Sequence, residues 1–417
     1  MRTSINKETI VILFRRILVT LGILFYIRIG TFLPVPRINH SDLEFYIQSH
    51  SVTRNLVGTF SSGGTFVIGL FTLNIFPYLN ASILVQIILG FSPKLSKLQK
   101  EGDLEGRRSI NRLTRFITLI WGIIQSVSLA FYLKQILFDW NLILAFQIIV
   151  WLTTGAMIVL WLSELITDYG LGNGASLLIY TNIISSLPNL TKAIFVDNLD
   201  ILSKIYIVLL TFTSLYAIVF LQEGVRLIPL ISSKQLNQVS SEDSIINNNY
   251  LPLRFNSAGV MPIILTTTIL VVPNYINNLG LLPKMDFPID FESLKFVYWI
   301  AYFGLILLFS SFYSTIVLNP KDISDQLQKM TVSIPGIRPG IQTTFYLKQT
   351  MKRITLIGAT LLAILTTVPN FIESALNITS LNGLSTTSLL ILAGVVLDLI
   401  REVTNIYYSN AYTNMYQ

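Results

Sequence analysis

Histidine occurs only twice in this sequence, at His40 and His50, and cysteine not at all. Asp42 and Glu44 lie between the two histidines, so a metal site can be drawn there. Zinc ligands, however, come at fixed offsets on a defined element, and residues 40–50 offer none. Without cysteine there is no disulfide, thiolate nucleophile or sulfur-ligated metal. Gly170-Leu171-Gly172-Asn173-Gly174-Ala175-Ser176 is rich in glycine, but a dinucleotide fingerprint needs a βαβ setting and a triphosphate loop needs Gly-Lys-Ser/Thr. Proton or ion coupling in a membrane requires an ionisable group at depth. Asp398, near the inner end of the last apolar stretch, is the one carboxylate that approaches this description. The residues predict no catalytic group, no metal and no cofactor.

The elements around these residues explain the poverty of reactive groups. The chain is 52% hydrophobic and only 12% charged, with a mean hydropathy of +0.63, which marks an integral membrane protein. A bilayer requires roughly 20 apolar residues per helix. Ten stretches qualify, at about 17–34, 70–91, 116–133, 141–163, 174–190, 205–221, 255–273, 296–318, 354–372 and 381–398. They are continuously apolar, whereas a membrane β-barrel would show short alternating segments. Arg15 and Arg16 lead straight into the first span with no cleavage signature, so neither a signal peptide nor a transit peptide is predicted.

With the amino terminus inside, 21 of the 29 Lys and Arg residues fall on the inner side, and the positive-inside rule puts both termini there. The inner loop 94–115 holds Arg107 and Arg108 among seven basic residues, and 320–353 holds Arg338 among six. Topology alone accounts for such charges. The length of the second loop points further, because structureless loops beyond about 12–15 residues are usually functional or disordered. The outer loop 35–69 is uncharged from Asn55 onward and contains Ser61-Ser62-Gly63-Gly64. Such a segment is expected to tuck into the protein, where non-helical backbone is tolerated at membrane depth. Ten spans divide into five plus five, the arrangement of inverted-topology repeats with a site between the halves.

Local patterns sharpen this reading. Arg28-Ile29-Gly30-Thr31-Phe32-Leu33-Pro34-Val35-Pro36 follows the first span, Pro77-Tyr78-Leu79-Asn80-Ala81-Ser82 lies in the second, and Glu105-Gly106-Arg107-Arg108 lies in the first basic loop. The glycine cluster opens the fifth span. Leu251-Pro252-Leu253-Arg254-Phe255-Asn256-Ser257-Ala258-Gly259-Val260-Met261-Pro262 leads into the seventh, and Ile334-Pro335-Gly336-Ile337-Arg338-Pro339-Gly340 sits in the second basic loop, where two turns would hold Arg338 at a tip. In this order and over nearly the whole chain, these motifs resemble the SecY family of protein-translocation channels.

The resemblance implies an all-α membrane protein of ten transmembrane helices in two inverted halves, 1–200 and 201–417, around an hourglass pore. It puts a constricting ring at Ile75, Leu79, Ile179, Ile264 and Ile391 and a plug near 52–64. A constriction of aliphatic side chains closes by dewetting and offers a passing chain no charge to bind. The resemblance also implies a lateral gate between the second and seventh spans, beside the third and eighth, where Gln86, Gln125 and Asn256 would hydrogen-bond across the seam. Ordinary helix packing explains Gln125 equally well, and Asn256 less so.

Arg338, with Arg107 and Arg108, would meet a ribosome or SecA motor ATPase, and a SecE-like small membrane subunit and a SecG-like subunit are implied companions. The clients would be preproteins, with hydrophobic segments released to the lipid bilayer. One departure is the inner loop 222–254, where Arg226, Lys234 and Arg254 face Glu223, Glu242 and Asp243 instead of the family's basic surplus. The second cytoplasmic loop spans 319–353. Abundant Ile and Asn and the absent transit peptide point to a plastid-encoded protein of the thylakoid membrane, with a bacterial plasma membrane as the alternative. A secondary transporter with inverted repeats is the competing function, and a membrane hydrolase is a third.

Overall fold

The structure, a computed structural model, describes residues 7–35, 69–92, 104–133, 141–196, 201–232, 250–256, 259–267, 295–317, 319–375 and 386–413. The expected plug near 52–64 and the His40–His50 segment lie outside these residues. Helices occupy all ten predicted spans: α1 (Lys7–Thr31), α2 (Phe76–Phe91), α3 (Leu104–Leu133), α4 (Leu142–Tyr169), α5 (Gly174–Val196), α6 (Ile201–Glu223), α7 (261–267), α8 (Lys295–Val317), α10 (Ile341–Ala375) and α11 (Thr386–Thr413). Among the described residues one further helix, α9 (Pro320–Lys329), follows the eighth span.

Helices α3 and α10 begin well before their apolar stretches. Helix α3 starts at Leu104, so Arg107, Arg108, Arg112 and Arg115 stand on a helix and not in a loop. Helix α10 starts at Ile341, which likewise carries Lys348, Lys352 and Arg353. A helix needs no lipid to continue, since its backbone bonds are internal, and hydropathy locates only the part at membrane depth. Helix α5 starts where the glycine cluster ends. Asn173 Oδ1 accepts from the Ala175 amide at 3.0 Å, and Thr167 Oγ1 accepts from the Gly174 amide at 3.0 Å. Gly172 holds φ +77°, a conformation natural to glycine.

The helices neighbour one another in a repeated pattern. In the first half α4 touches α1, α3 and α5. In the second half the ninth span, α10, touches α6, α8 and α11. The halves meet where α11 lies on α1 and α5. The described parts of the loops 222–254 and 319–353, residues 222–232, 250–254 and 319–353, form one small unit. Strand β1 (Val225–Pro229) pairs antiparallel with β3 (Tyr250–Arg254), and β2 (Ile231–Ser232) pairs with β4 (Val332–Ser333) from the other loop. Beneath them Ile228, Leu253, Leu327, Ile334, Leu347, Met351 and Ile354 form one buried cluster. The expectation of a structureless second loop is thereby corrected, because α9, β4 and the start of α10 occupy it.

Candidate functional site

Ile75 and Leu79 are 1% and 3% exposed. They sit at the start of α2 in an apolar cluster with Ile27 of α1, Val159 and Leu162 of α4, and Leu178 of α5. They therefore face other helices, not lipid. Ile179, the residue after Leu178, is half-buried and packs against that cluster and also against the core of the second half, built around Ile218, Ile263, Ile306, Leu362 and Leu390. Ile391 packs against the second-half core and against the cluster of Ile166, Leu177 and Val395, which joins α4, α5 and α11. Ile264 is half-buried beside Ile263 and belongs to none of these clusters. The structure thus brings Ile75, Leu79 and Ile179 into one cluster and links Ile179 to Ile391 through a second.

Helices α2, α7 and α8 face one another across a cleft of about 10 Å³. That is close to the smallest volume able to hold one water. Ile83, Gln86 and Ile87 line it from α2, Met261, Pro262 and Leu265 from α7, and Phe309, Phe312 and Tyr313 from α8. Gln86 donates from Nε2 to Ser82 Oγ at 3.3 Å, while its Oε1 is buried without a hydrogen-bond partner. Gln125 is not among the residues around the cleft, and its Oε1 is likewise buried without a partner. The Asn256 side chain donates to the Gly259 carbonyl at 3.0 Å and so shapes the turn into α7. Of the residues expected along the seam, Gln86 alone lines this cleft. Tyr313 escaped the sequence reading, although hydroxyl-bearing residues crowd the end of the eighth span.

The basic tip is held from below. Gly336 and Gly340 adopt φ +76° and +102°. Ser324 Oγ donates to the Gly340 carbonyl at 3.0 Å, and Thr343 Oγ1 donates to the Arg338 carbonyl at 2.9 Å. The Arg338 side chain is exposed, as is that of Arg108 on α3, and Arg107 lies on the same helix. Among the described residues, two ion pairs join neighbouring helices. Arg115 of α3 binds Glu164 of α4 through two bonds, of 2.9 and 2.7 Å. Arg401 of α11 binds Glu223 of α6 at 2.7 Å and the Gln222 carbonyl at 3.3 Å. Among the described residues there is no cluster of His, Asp and Glu able to hold a metal.

Known proteins share both sequence and fold with this chain. The family profile described as SecY matches residues 69–400. A protein translocase subunit SecY of Trieres chinensis is 60% identical over the whole of both chains. That of Guillardia theta is 40% identical over 99% of each, and that of Synechococcus elongatus is 38% identical over 96% of this chain and 93% of its own. Among solved structures, one described as a protein-conducting channel superposes with a TM-score of 0.67 at 16% identity, covering 97% of this chain and 94% of the other. Sec61 in a canine ribosome–channel complex gives 0.62 over the same shares at 16% identity. With full-length relatives at this identity and the apolar clusters of both halves meeting at Ile179, the chain belongs to the SecY family of protein-conducting channels.

Proposed function

We propose that this chain is the pore-forming subunit of a Sec translocase, a passive conduit for unfolded preproteins and a channel rather than a catalyst. Its waist is the ring of Ile75, Leu79, Ile179, Ile264 and Ile391, sealed on the outer side by a plug near 52–64. The observation that carries this reading is Ile179, a half-buried side chain that packs against the apolar clusters of both halves. An uncharged constriction excludes ions by dewetting and does not retain a polypeptide. The divide between halves falls near residue 200. The cleft between α2 and α7/α8 is the lateral gate through which hydrophobic segments pass into lipid.

The inner face docks the partners that supply energy. Arg338 at its braced tip, with Arg107 and Arg108 on α3, presents permanent charge to phosphate or carboxylate. The reading assigns a ribosome or a SecA-type motor to that face, with SecE-like and SecG-like subunits beside the helices, in a thylakoid membrane. Because the chain has no cysteine, a single introduced thiol tests the waist cleanly. A stalled precursor carrying a thiol-reactive group should crosslink to Ile179→Cys and Ile264→Cys and not to Phe212→Cys, which is 69% exposed on α6. Equal crosslinking at all three positions would remove the waist.

A further inference from the structure

Leu73, Asn74 and Ile75 lead into α2, and all three are buried; Asn74 is 2% exposed. The Asn74 backbone holds φ +47°, a left-handed conformation that asparagine visits and glycine takes freely. The turn has little room to relax. Its Leu70 carbonyl lies against Gly155 of α4 and its Phe71 ring against Gly30 of α1, and the Asn74 amide donates to the Phe71 carbonyl at 3.0 Å. Glycine would meet every need of this backbone. Asparagine adds a carboxamide, which costs stability in a buried apolar setting unless it is hydrogen-bonded. Among the described residues Asn74 Oδ1 is buried and has no hydrogen-bond partner. An asparagine at the start of a helix ordinarily caps the first turn, but the N-cap of α2 is Ile75, with no side-chain cap bond. Neither backbone geometry nor capping therefore accounts for an acceptor placed one residue before Ile75.

We infer that Asn74 is a binding site for the client's backbone: when the cluster around Ile75 parts, its carboxamide oxygen accepts a hydrogen bond from the peptide N–H of the residue in transit. The inference rests on reading Ile75 and its companions as the waist. A polypeptide is hydrated on either side of that constriction, whereas between aliphatic side chains its N–H groups have no partner, and stripping them of water is costly. Asn74 offers an acceptor at the point where that cost is highest. Every residue except proline carries a backbone N–H, so the contact recognises a peptide chain as such and no particular sequence. Because the client needs it only in the waist, the contact speeds passage and leaves docking untouched. One neutral hydrogen bond changes the rate about fivefold, too little to hold a chain in place.

The test uses the full-length chain with its companion subunits in proteoliposomes, driven by a SecA-type motor, and reads the time that a test segment within a client takes to pass. Asn74→Gly keeps the backbone conformation and removes only the carboxamide. It should slow a segment of ordinary residues about fivefold. A segment of consecutive prolines has no N–H to offer, so it should pass at the same rate through Asn74→Gly and the unmodified channel. Asn74→Gly should also unfold no earlier than the unmodified chain, because it removes a buried group that lacks a partner. Equal slowing of both segments, or earlier unfolding, would make Asn74 a residue that only positions α2, and an unchanged rate would mean that its oxygen meets no client N–H; each result overturns the inference. If a stalled precursor does not crosslink to Ile179→Cys and Ile264→Cys, the waist reading falls and this inference with it. Crosslinks at both positions with an unchanged rate in Asn74→Gly remove the backbone contact alone.

Discussion

The two halves of the molecule make the same close approaches with different residues. In the first, Gly155 of α4 lies against the Leu70 carbonyl, where the chain turns into α2. In the second, Gly358 of α10 lies against the Phe255 carbonyl, where it turns toward α7. The Phe71 ring rests on Gly30 near the end of α1, and the Phe255 ring rests on Gly224 after α6. Ser126 meets Thr153 between the third and fourth spans at 3.0 Å, and Ser314 meets Thr355 between the eighth and ninth at 2.7 Å. Each half is thus tied internally by matched contacts. Between the halves the ties are unequal: α11 packs on α1 and α5, while α2 faces α7 and α8 across a cleft.

The glycines offer the most severe way to break that comparison. A Cβ at Gly155 or at Gly358 would run into a backbone carbonyl, and a carbonyl in the lead-in to a helix has no rotamer through which to escape. Gly155→Val and Gly358→Val should each cost several kcal/mol, in the range of severe overpacking and backbone displacement. The expected outcome is loss of the protein from membranes, read as steady-state level and protease resistance. If the halves are equivalent, the two variants fail to similar degrees. If Gly155→Val accumulates normally while Gly358→Val does not, the matched contacts are coincidence.

Much of this architecture was legible in the residues. The ten spans follow from hydropathy, because a membrane helix must hide its backbone and does so with continuous apolar sequence. Isoleucine at 75, 179, 264 and 391 carries no mark that separates a waist from a lipid face, so the family motifs were needed to single these positions out. The joined inner loops escaped sequence reading for another reason. Strands of two to five residues are too short to show alternation, and the β2–β4 pairing unites segments about a hundred residues apart. Tyr313 was missed because nothing in an apolar span marks which aromatic side chain lines a cleft. Gln125 and Asn256 were selected by their polarity, which does not specify the face on which they sit.

The braced inner unit distinguishes the second half from the first, and its tip is the next place to sharpen the contrast. Gly336 holds φ +76° with open space around it, so any penalty for a side chain there is conformational and not steric. Valine, being β-branched, is a genuine outlier at positive φ, at a cost on the order of 1–3 kcal/mol. The turn relieves this by rearranging and moves Arg338. Gly336→Val should weaken binding of purified ribosomes or of a SecA-type motor to the channel in nanodiscs by roughly tenfold. Membrane levels should stay normal, because a side chain at Gly336 meets nothing within 4 Å. Binding equal to that of the unmodified chain would show that the tip is not where partners dock.

The hydroxyl bridges give the finest test of equivalence, because the two differ in what each residue keeps when its partner is lost. Ser126 also donates to the Gly122 carbonyl at 2.7 Å, and Thr153 to the Ile149 carbonyl at 2.7 Å. Either hydroxyl remains satisfied on its own helix after the other is removed. Ser314 and Thr355 have only one another among the bonds observed, and both are buried. Ser126→Ala should therefore shift thermal unfolding in detergent hardly at all. Ser314→Ala leaves Thr355 to find a new acceptor and should cost more than the bilayer average of about 0.6 kcal/mol, toward the upper limit of about 1.7. A larger loss from Ser126→Ala than from Ser314→Ala would mean that the α3–α4 bridge, and not the α8–α10 bridge, carries the greater share of its half's rigidity.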